Sequence, residues 1–92
     1  MTLTQKLSTA LTQLNISHTI RVNPHPEIMD NDIQLGDGLN FQISNDPREP
    51  YILLAKNIHK NGKLDHIVYL GEFEGENLIN DAIELLKDTM KS

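Results

Sequence analysis

Cysteine is absent from this chain of 92 residues, which excludes disulfide bonds and thiolate metal ligands. Long apolar runs are absent too. The longest, Tyr51–Ala55, has five residues, whereas a membrane-spanning helix needs roughly 20. The first seven residues are interrupted by polar side chains and lack the apolar core of a signal peptide. We therefore expect a cytoplasmic protein that is not inserted in a membrane.

Positive charge is scarce. The chain has eight lysine and arginine residues against 13 aspartate and glutamate residues, and its net charge is −5. The acids concentrate in residues 27–50 and 71–92. Such a chain repels phosphate backbones over most of its surface, so nucleic acid is an unfavourable partner. Lys56, Lys60 and Lys63 form a small basic cluster without interleaved aromatic residues, and we expect them to keep a hairpin tip solvated.

Apolar periodicity predicts a helix at each end of the chain. Near the N-terminus, leucines recur at helical spacings of four, four and three residues: Leu3, Leu7, Leu11 and Leu14. Thr2 and Gln5 fit a capping box at the start of this helix. The second predicted helix runs from about Asn77 to Lys91, with a broad apolar stripe and with lysines near its C-terminal end.

Short alternating segments between the helices predict β-strands. Ser17–Val22 is β-branched and alternating, and Ile33–Leu35 and Leu39–Ser44 flank a glycine-containing turn that predicts a hairpin. Prolines and turn-forming residues predict loops over residues 23–32 and 45–50.

The strongest local signal lies between Tyr51 and Phe73. Two apolar runs in this segment flank Asn61-Gly62, the dipeptide that favours a two-residue type I′ turn because both turn residues need positive φ. A hairpin closed by this turn has a defined register. The predicted opposite pairs are Lys60 with Lys63, Asn57 with His66, and Leu53 with Leu70.

Together these elements predict an α+β fold in the order α-β-β-β-β-β-α. Short connections favour antiparallel neighbours, so we expect a small antiparallel sheet of four to five strands. The N-terminal and C-terminal helices are expected to pack on one face of this sheet. The whole chain, residues 1–92, is predicted to form a single domain.

In the predicted register both faces of the hairpin are apolar, although the helices can cover only one of them. Leaving several large apolar side chains in water costs several kcal/mol. We therefore expect residues 23–50, another protein, or a second copy of the chain in a homodimer to cover the other face. The predicted interaction residues on one face are Ile52, Leu54, Ile67, Tyr69 and Phe73.

The predicted register also makes His59 and His66 diagonal neighbours on one face, within reach of a shared metal ion. A third ligand would have to come from the loop, from His25 or Glu27. With Asp37, these residues define an alternative hypothesis, a small metal-dependent hydrolase. Polar residues near a solvated hairpin tip are the simpler interpretation, and the sequence predicts no cofactor.

Other motifs fail at the positions that define them. An EF-hand loop starting at Asp30 needs a glycine and a glutamate where the chain has Leu35 and Phe41. The turn at Gly71–Gly75 carries acids that would repel a phosphate, and no serine lies in a glycine-flanked elbow. A ligand site between sheet and helices stays open as a further alternative. The sequence favours a small acidic, non-catalytic protein-binding module, such as a neutralising or adaptor protein for a basic partner.

Overall fold

The structure is a computed structural model that describes residues 2–22, 30–44 and 46–91. It has one helix at each end and five strands between them, which confirms the predicted α+β order. The bounds are α1 Leu3–Gln13, β1 Thr19–Val22, β2 Asp30–Gln34, β3 Leu39–Ser44, β4 Tyr51–Lys60, β5 Lys63–Phe73 and α2 Leu78–Lys91.

Helix α1 begins with the predicted capping box. The Thr2 hydroxyl accepts a hydrogen bond from the Gln5 backbone N–H at 3.2 Å, and the Gln5 side chain accepts one from the Thr2 N–H at 2.9 Å. Two of the N–H groups that a helix start leaves without partners are satisfied in this way. The helix ends at Gln13, and Asn15 follows in the left-handed conformation with φ of 58°. The chain then turns back into β1.

The five strands form one antiparallel sheet in the order β1-β2-β3-β4-β5, so every strand pairs with its neighbour in sequence. Helix α1 contacts β2 and β3, and helix α2 contacts β4 and β5. The strands β1 and β5 form the two edges of the sheet.

The core lies between the helices and the side of the sheet that they cover, which we call the inner face. Alternate residues of β2, β3 and β4 point into it, as a half-buried sheet requires. Its fully buried large side chains are Leu7, Leu11, Ile33, Phe41, Ile43, Ile52, Leu54 and Leu86.

Strand β2 begins earlier than the sequence predicted. The loop predicted over residues 23–32 ends at Asp30, where pairing with β3 starts, and Asp32 lies opposite Gln42. Asp30, Asn31 and Asp32 did not look like a strand in the sequence, because aspartate and asparagine have low strand propensity on their own. Pairing with β3 overrides that propensity. Residues 23–29 lie outside the described part of the chain.

The β4–β5 hairpin has the predicted turn but a different register. Asn61 and Gly62 have φ of 56° and 77°, as a type I′ turn requires, and Lys60 lies opposite Lys63. Farther from the turn the predicted pairs are wrong. Asn57 lies opposite Ile67 rather than His66, and Leu53 lies opposite Glu72 rather than Leu70.

Two β-bulges cause this difference. Asp65 and Leu70 are extra residues on β5, since the register skips from Leu64 to His66 and from Tyr69 to Gly71. Each extra residue shifts the pairing by one position and therefore exchanges the faces of the residues beyond it. A bulge leaves no clear mark in a single sequence, so an uninterrupted ladder was the natural prediction.

Candidate protein-interaction surface

The bulges divide the five predicted interaction residues between the two faces of the sheet. Ile52 and Leu54 are fully buried under the helices, and Phe73, opposite Ile52, packs against the same core. Placing these three on a partner-binding face was therefore wrong. Ile67 and Tyr69 lie opposite Asn57 and Ala55 on the other, outer face of the sheet.

Exposed apolar side chains concentrate on β5. Tyr69 is 58 % exposed and Ile67 is 36 % exposed. Of the eight large hydrophobic side chains exposed among the described residues, five belong to this strand: Leu64, Ile67, Val68, Tyr69 and Leu70. Tyr69 and Leu70 line a shallow groove together with Leu53 of β4. We call Leu53, Ile67, Tyr69 and Leu70 the outer apolar patch.

The outer face of β1, β2 and β3 is polar. In one row across the sheet Arg21 lies opposite Asp32, and Asp32 lies opposite Gln42. In the next row Asn40 donates a hydrogen bond to the Asn57 carbonyl oxygen Oδ1 at 3.2 Å. The outer apolar patch is therefore confined to the β4–β5 side of the sheet, beside the open edge of β5.

The backbone of β5 also presents hydrogen-bonding groups at this edge. The Asn57 N–H donates to the Gly38 carbonyl at 2.9 Å, so the backbone groups of Asn57 point away from β5. Ile67 lies opposite Asn57, and in an antiparallel ladder its own N–H and C=O then point away from β4. The same reasoning applies to Tyr69 opposite Ala55. Both residues direct a donor and an acceptor to the open edge.

The middle of this edge has little protection against pairing with another strand. Native edge strands commonly carry lysine, proline, inward-pointing charges or β-bulges that hinder such pairing. The two bulges of β5 lie on either side of residues 66–69 and interrupt the edge there, not between them. Here Lys63, Asp65 and Glu72 lie toward the ends of β5, whereas residues 66–71 contain no lysine, arginine, aspartate or glutamate and no proline. The regular stretch between the two bulges is therefore both apolar and open.

Charges of opposite sign lie at the two ends of the same edge. Helix α2 packs over one end, where a Cβ on Gly71 would meet the Leu85 side chain at 2.6 Å. Helical geometry places Asp81 and Asp88 on the flank of α2 beyond Leu85, toward the open edge, and Glu84 on the solvent side of the helix. All three acids are exposed.

The other end of the edge is basic. Lys60 and Lys63 are an opposite pair beside the turn, and Lys56 lies on the same inner face as Lys60. All three lysines are exposed. The ladder of β3 with β4 ends at Lys56, so the hairpin tip projects beyond the rest of the sheet.

The predicted histidine pair is not formed. His59 lies opposite Leu64 and His66 opposite Ile58, so the bulge at Asp65 puts the two imidazoles on opposite faces. His66 Nδ1 instead lies 2.7 Å from the Asp65 carboxylate. His25 and Glu27 lie outside the described residues. In the part of the chain that the structure describes, no group of three His, Cys, Asp or Glu side chains could hold a metal ion.

One polar pair was not anticipated from the sequence. Ser8 Oγ lies 2.6 Å from His18 Nε2, and His18 Nδ1 lies 2.8 Å from the Ile16 carbonyl oxygen. The carbonyl can only accept, so Nδ1 carries a proton; in the neutral imidazole Nε2 then accepts from the Ser8 hydroxyl. Ser8 lies in the middle of α1, where the backbone N–H groups serve the helix rather than an oxyanion. The pair fastens the α1–β1 connection to the helix.

No helix among the described residues is long and apolar enough to span a bilayer. Comparison with protein-family models, with curated proteins and with solved structures found no match to this chain.

Proposed function

We propose that this chain is a non-catalytic protein-binding module that binds through strand β5 and the outer apolar patch. The observation that carries the proposal is the concentration of exposed apolar side chains on an open edge strand. Burying a fully exposed side chain of this size contributes about 1.5–3 kcal/mol. Ile67 and Leu70 are little more than one third exposed and Tyr69 is 58 % exposed, so covering them contributes the corresponding fraction of that free energy to association. The backbone groups of Ile67 and Tyr69 add the donors and acceptors of a further strand.

The partner is another protein chain or a second copy of this one, as a homodimer. The acids of α2 beside the edge, Asp81 and Asp88, favour a strand with lysine or arginine in its flanks. A neutralising or adaptor role toward a basic protein is consistent with this charge. Such a role requires no catalytic group.

Fluorescence anisotropy with labelled extended peptides tests the proposal directly. The peptides alternate valine and lysine, and a matched set alternates valine and glutamate. We expect the full chain to bind the lysine set more tightly, and to lose affinity as salt is raised. The variant Ile67→Lys/Tyr69→Lys should abolish binding, because it places charge in the outer apolar patch.

A matched variant controls for the added charge. Thr9→Lys/Gln13→Lys places the same two charges on the exposed side of α1, and it should bind the peptides like the unmodified chain. Equal loss in both variants would show that net charge, not the β5 edge, governs binding. Absence of binding to every peptide, together with a strictly monomeric chain at high micromolar concentration, would contradict the proposed function.

A further inference from the structure

We infer that the partner seated on the β5 edge is a second copy of this chain, paired antiparallel through β5 of both copies. The inference deepens the proposed function and depends on it, because it names the occupant of the same edge. Four backbone groups and two sets of opposite charges determine the arrangement.

The backbone determines which residues can pair. Ile67 and Tyr69 direct their N–H and C=O groups to the open edge, and Val68 between them directs its groups to β4. A two-fold axis perpendicular to the sheet at Val68 places Ile67 of one copy opposite Tyr69 of the other. Each such pair exchanges two hydrogen bonds, so the symmetric arrangement uses all four outward donors and acceptors of each copy.

Side-chain faces agree with this register. Ile67 and Tyr69 both lie on the outer face, so each Ile67 meets a Tyr69 across the new strand pair and the two outer apolar patches become continuous. β-Branched and aromatic cross-strand pairs are favourable in antiparallel sheets. A shift of one residue would place outer-face residues opposite inner-face residues, which two-fold symmetry forbids.

Charge favours a second copy over an unrelated strand. Antiparallel pairing brings the Gly71 end of one β5 beside the Lys63 end of the other. The acidic flank of α2, which packs over Gly71, then lies next to Lys60 and Lys63 of the other copy. The α2 helices of the two copies do not compete for space, because each lies over the Gly71 end of its own β5 and these two ends are at opposite ends of the interface. Parallel pairing would instead place like charges together.

The absence of native cysteine makes a single-cysteine test specific. At the two-fold axis the Val68 residues form a non-hydrogen-bonded pair with Cα atoms about 4.5 Å apart, within the range of a disulfide. We expect Val68→Cys to form a covalent dimer under mild oxidation. His66→Cys is the matched control, because the two copies of residue 66 are four positions apart, or roughly 13 Å along the strands, and it should stay uncrosslinked.

Charge reversal tests the ends of the interface in solution. Lys60→Glu/Lys63→Glu and Asp81→Lys/Asp88→Lys should each raise the dimer dissociation constant in sedimentation equilibrium roughly tenfold. An equimolar mixture of the two variants should recover tight 1:1 association. Lys6→Glu/Lys91→Glu, at exposed sites on the helices, should leave the dimer unchanged.

Several results would overturn the inference. One is that Val68→Cys and His66→Cys crosslink equally. Another is that the chain forms a dimer in solution that Val68→Cys does not crosslink. The third is that mixing the two charge variants does not restore tight 1:1 association. A chain that stays monomeric but binds the lysine peptides at the β5 edge would refute self-pairing and leave the proposed function intact. Loss of peptide binding and of self-association together would refute both.

Discussion

Asp46 illustrates how a single residue organises a turn between two strands. Its carboxylate accepts hydrogen bonds from the Arg48 backbone N–H at 2.9 Å and from the Arg48 side-chain Nε and Nη2, each at 3.2 Å. The Asp46 carbonyl also accepts from the Glu49 N–H at 3.1 Å. A short aspartate side chain can close a turn in this way because it reaches backbone donors two residues on. The turn sets where β4 begins.

We predict that Asp46 titrates below the ordinary range of aspartate. The side-chain hydrogen bonds from Arg48, then the backbone bond from the same residue, lower the pKa of the Asp46 carboxyl. A depressed pKa stabilises the fold above the unfolded-state pKa, and this contribution is lost as the pH falls through the folded-state pKa. NMR titration should show a lowered midpoint that Arg48→Gln moves back up. An unchanged midpoint in Arg48→Gln would contradict the assignment.

At the scale of elements, the contact between α2 and β5 depends on Gly71. The helix approaches the strand so closely that a Cβ there would lie 2.6 Å from Leu85 and 2.9 Å from the Phe73 ring. Gly71 directly follows the bulge residue Leu70, so the bulge also determines that a glycine, rather than the preceding large residue, lies under the helix. Close helix–sheet packing thus requires the irregular register.

Gly71→Ala is expected to destabilise the chain by about 1 kcal/mol, because the added methyl group displaces the ends of the Leu85 and Phe73 side chains from their packed positions. Gly36→Ala is the matched control. A Cβ at Gly36 would meet nothing within 4 Å, so its free energy of unfolding should change little. Urea denaturation of both variants measures the difference. Equal stability of the two variants would contradict this prediction and show that the Leu85 and Phe73 side chains accommodate the methyl group without cost.

At the scale of the whole molecule, the two edge strands of the sheet differ in length and in exposed apolar surface. β1 is a short strand of four residues, whereas β5 has 11 residues and carries five of the large exposed hydrophobic side chains. Short edge strands resist pairing, while long apolar ones favour it. The proposed association is therefore directed to one side of the molecule, and symmetric pairing there would close after two copies rather than continue into a fibre.

The proposed homodimer would stabilise the folded state by mass action, so we expect Tm to rise with protein concentration. Differential scanning fluorimetry over a hundredfold concentration range measures this dependence. Ile67→Lys/Tyr69→Lys should remove the concentration dependence while keeping a cooperative transition, because both side chains are exposed in the single chain. Thr9→Lys/Gln13→Lys should retain it. A Tm of the unmodified chain that is independent of concentration would contradict the homodimer.

Local sequence signals were sufficient to predict both helices and the turn of the β4–β5 hairpin. The capping box at Thr2 and Gln5, the leucine spacing of α1 and the Asn61-Gly62 turn act over a few residues, and each predicted its structure correctly. The element order follows from them, because short connections leave an antiparallel meander as the simplest arrangement. The lysines at the hairpin tip were also placed on one face correctly.

The composition of the candidate site depended on the β-bulges of β5, which local sequence signals do not predict. The sequence by itself determined that the hairpin is apolar on both sides and that helices can cover only one. Which side chains remain in water was decided by the extra residues Asp65 and Leu70, because each exchanges the faces of the strand beyond it. The bulge at Leu70 lies beside the contact of α2 with Gly71, so the ladder there and the helix packing form together. This packing involves residues far apart in the chain, so only the tertiary structure separated Ile67 and Tyr69 from the buried Ile52 and Leu54.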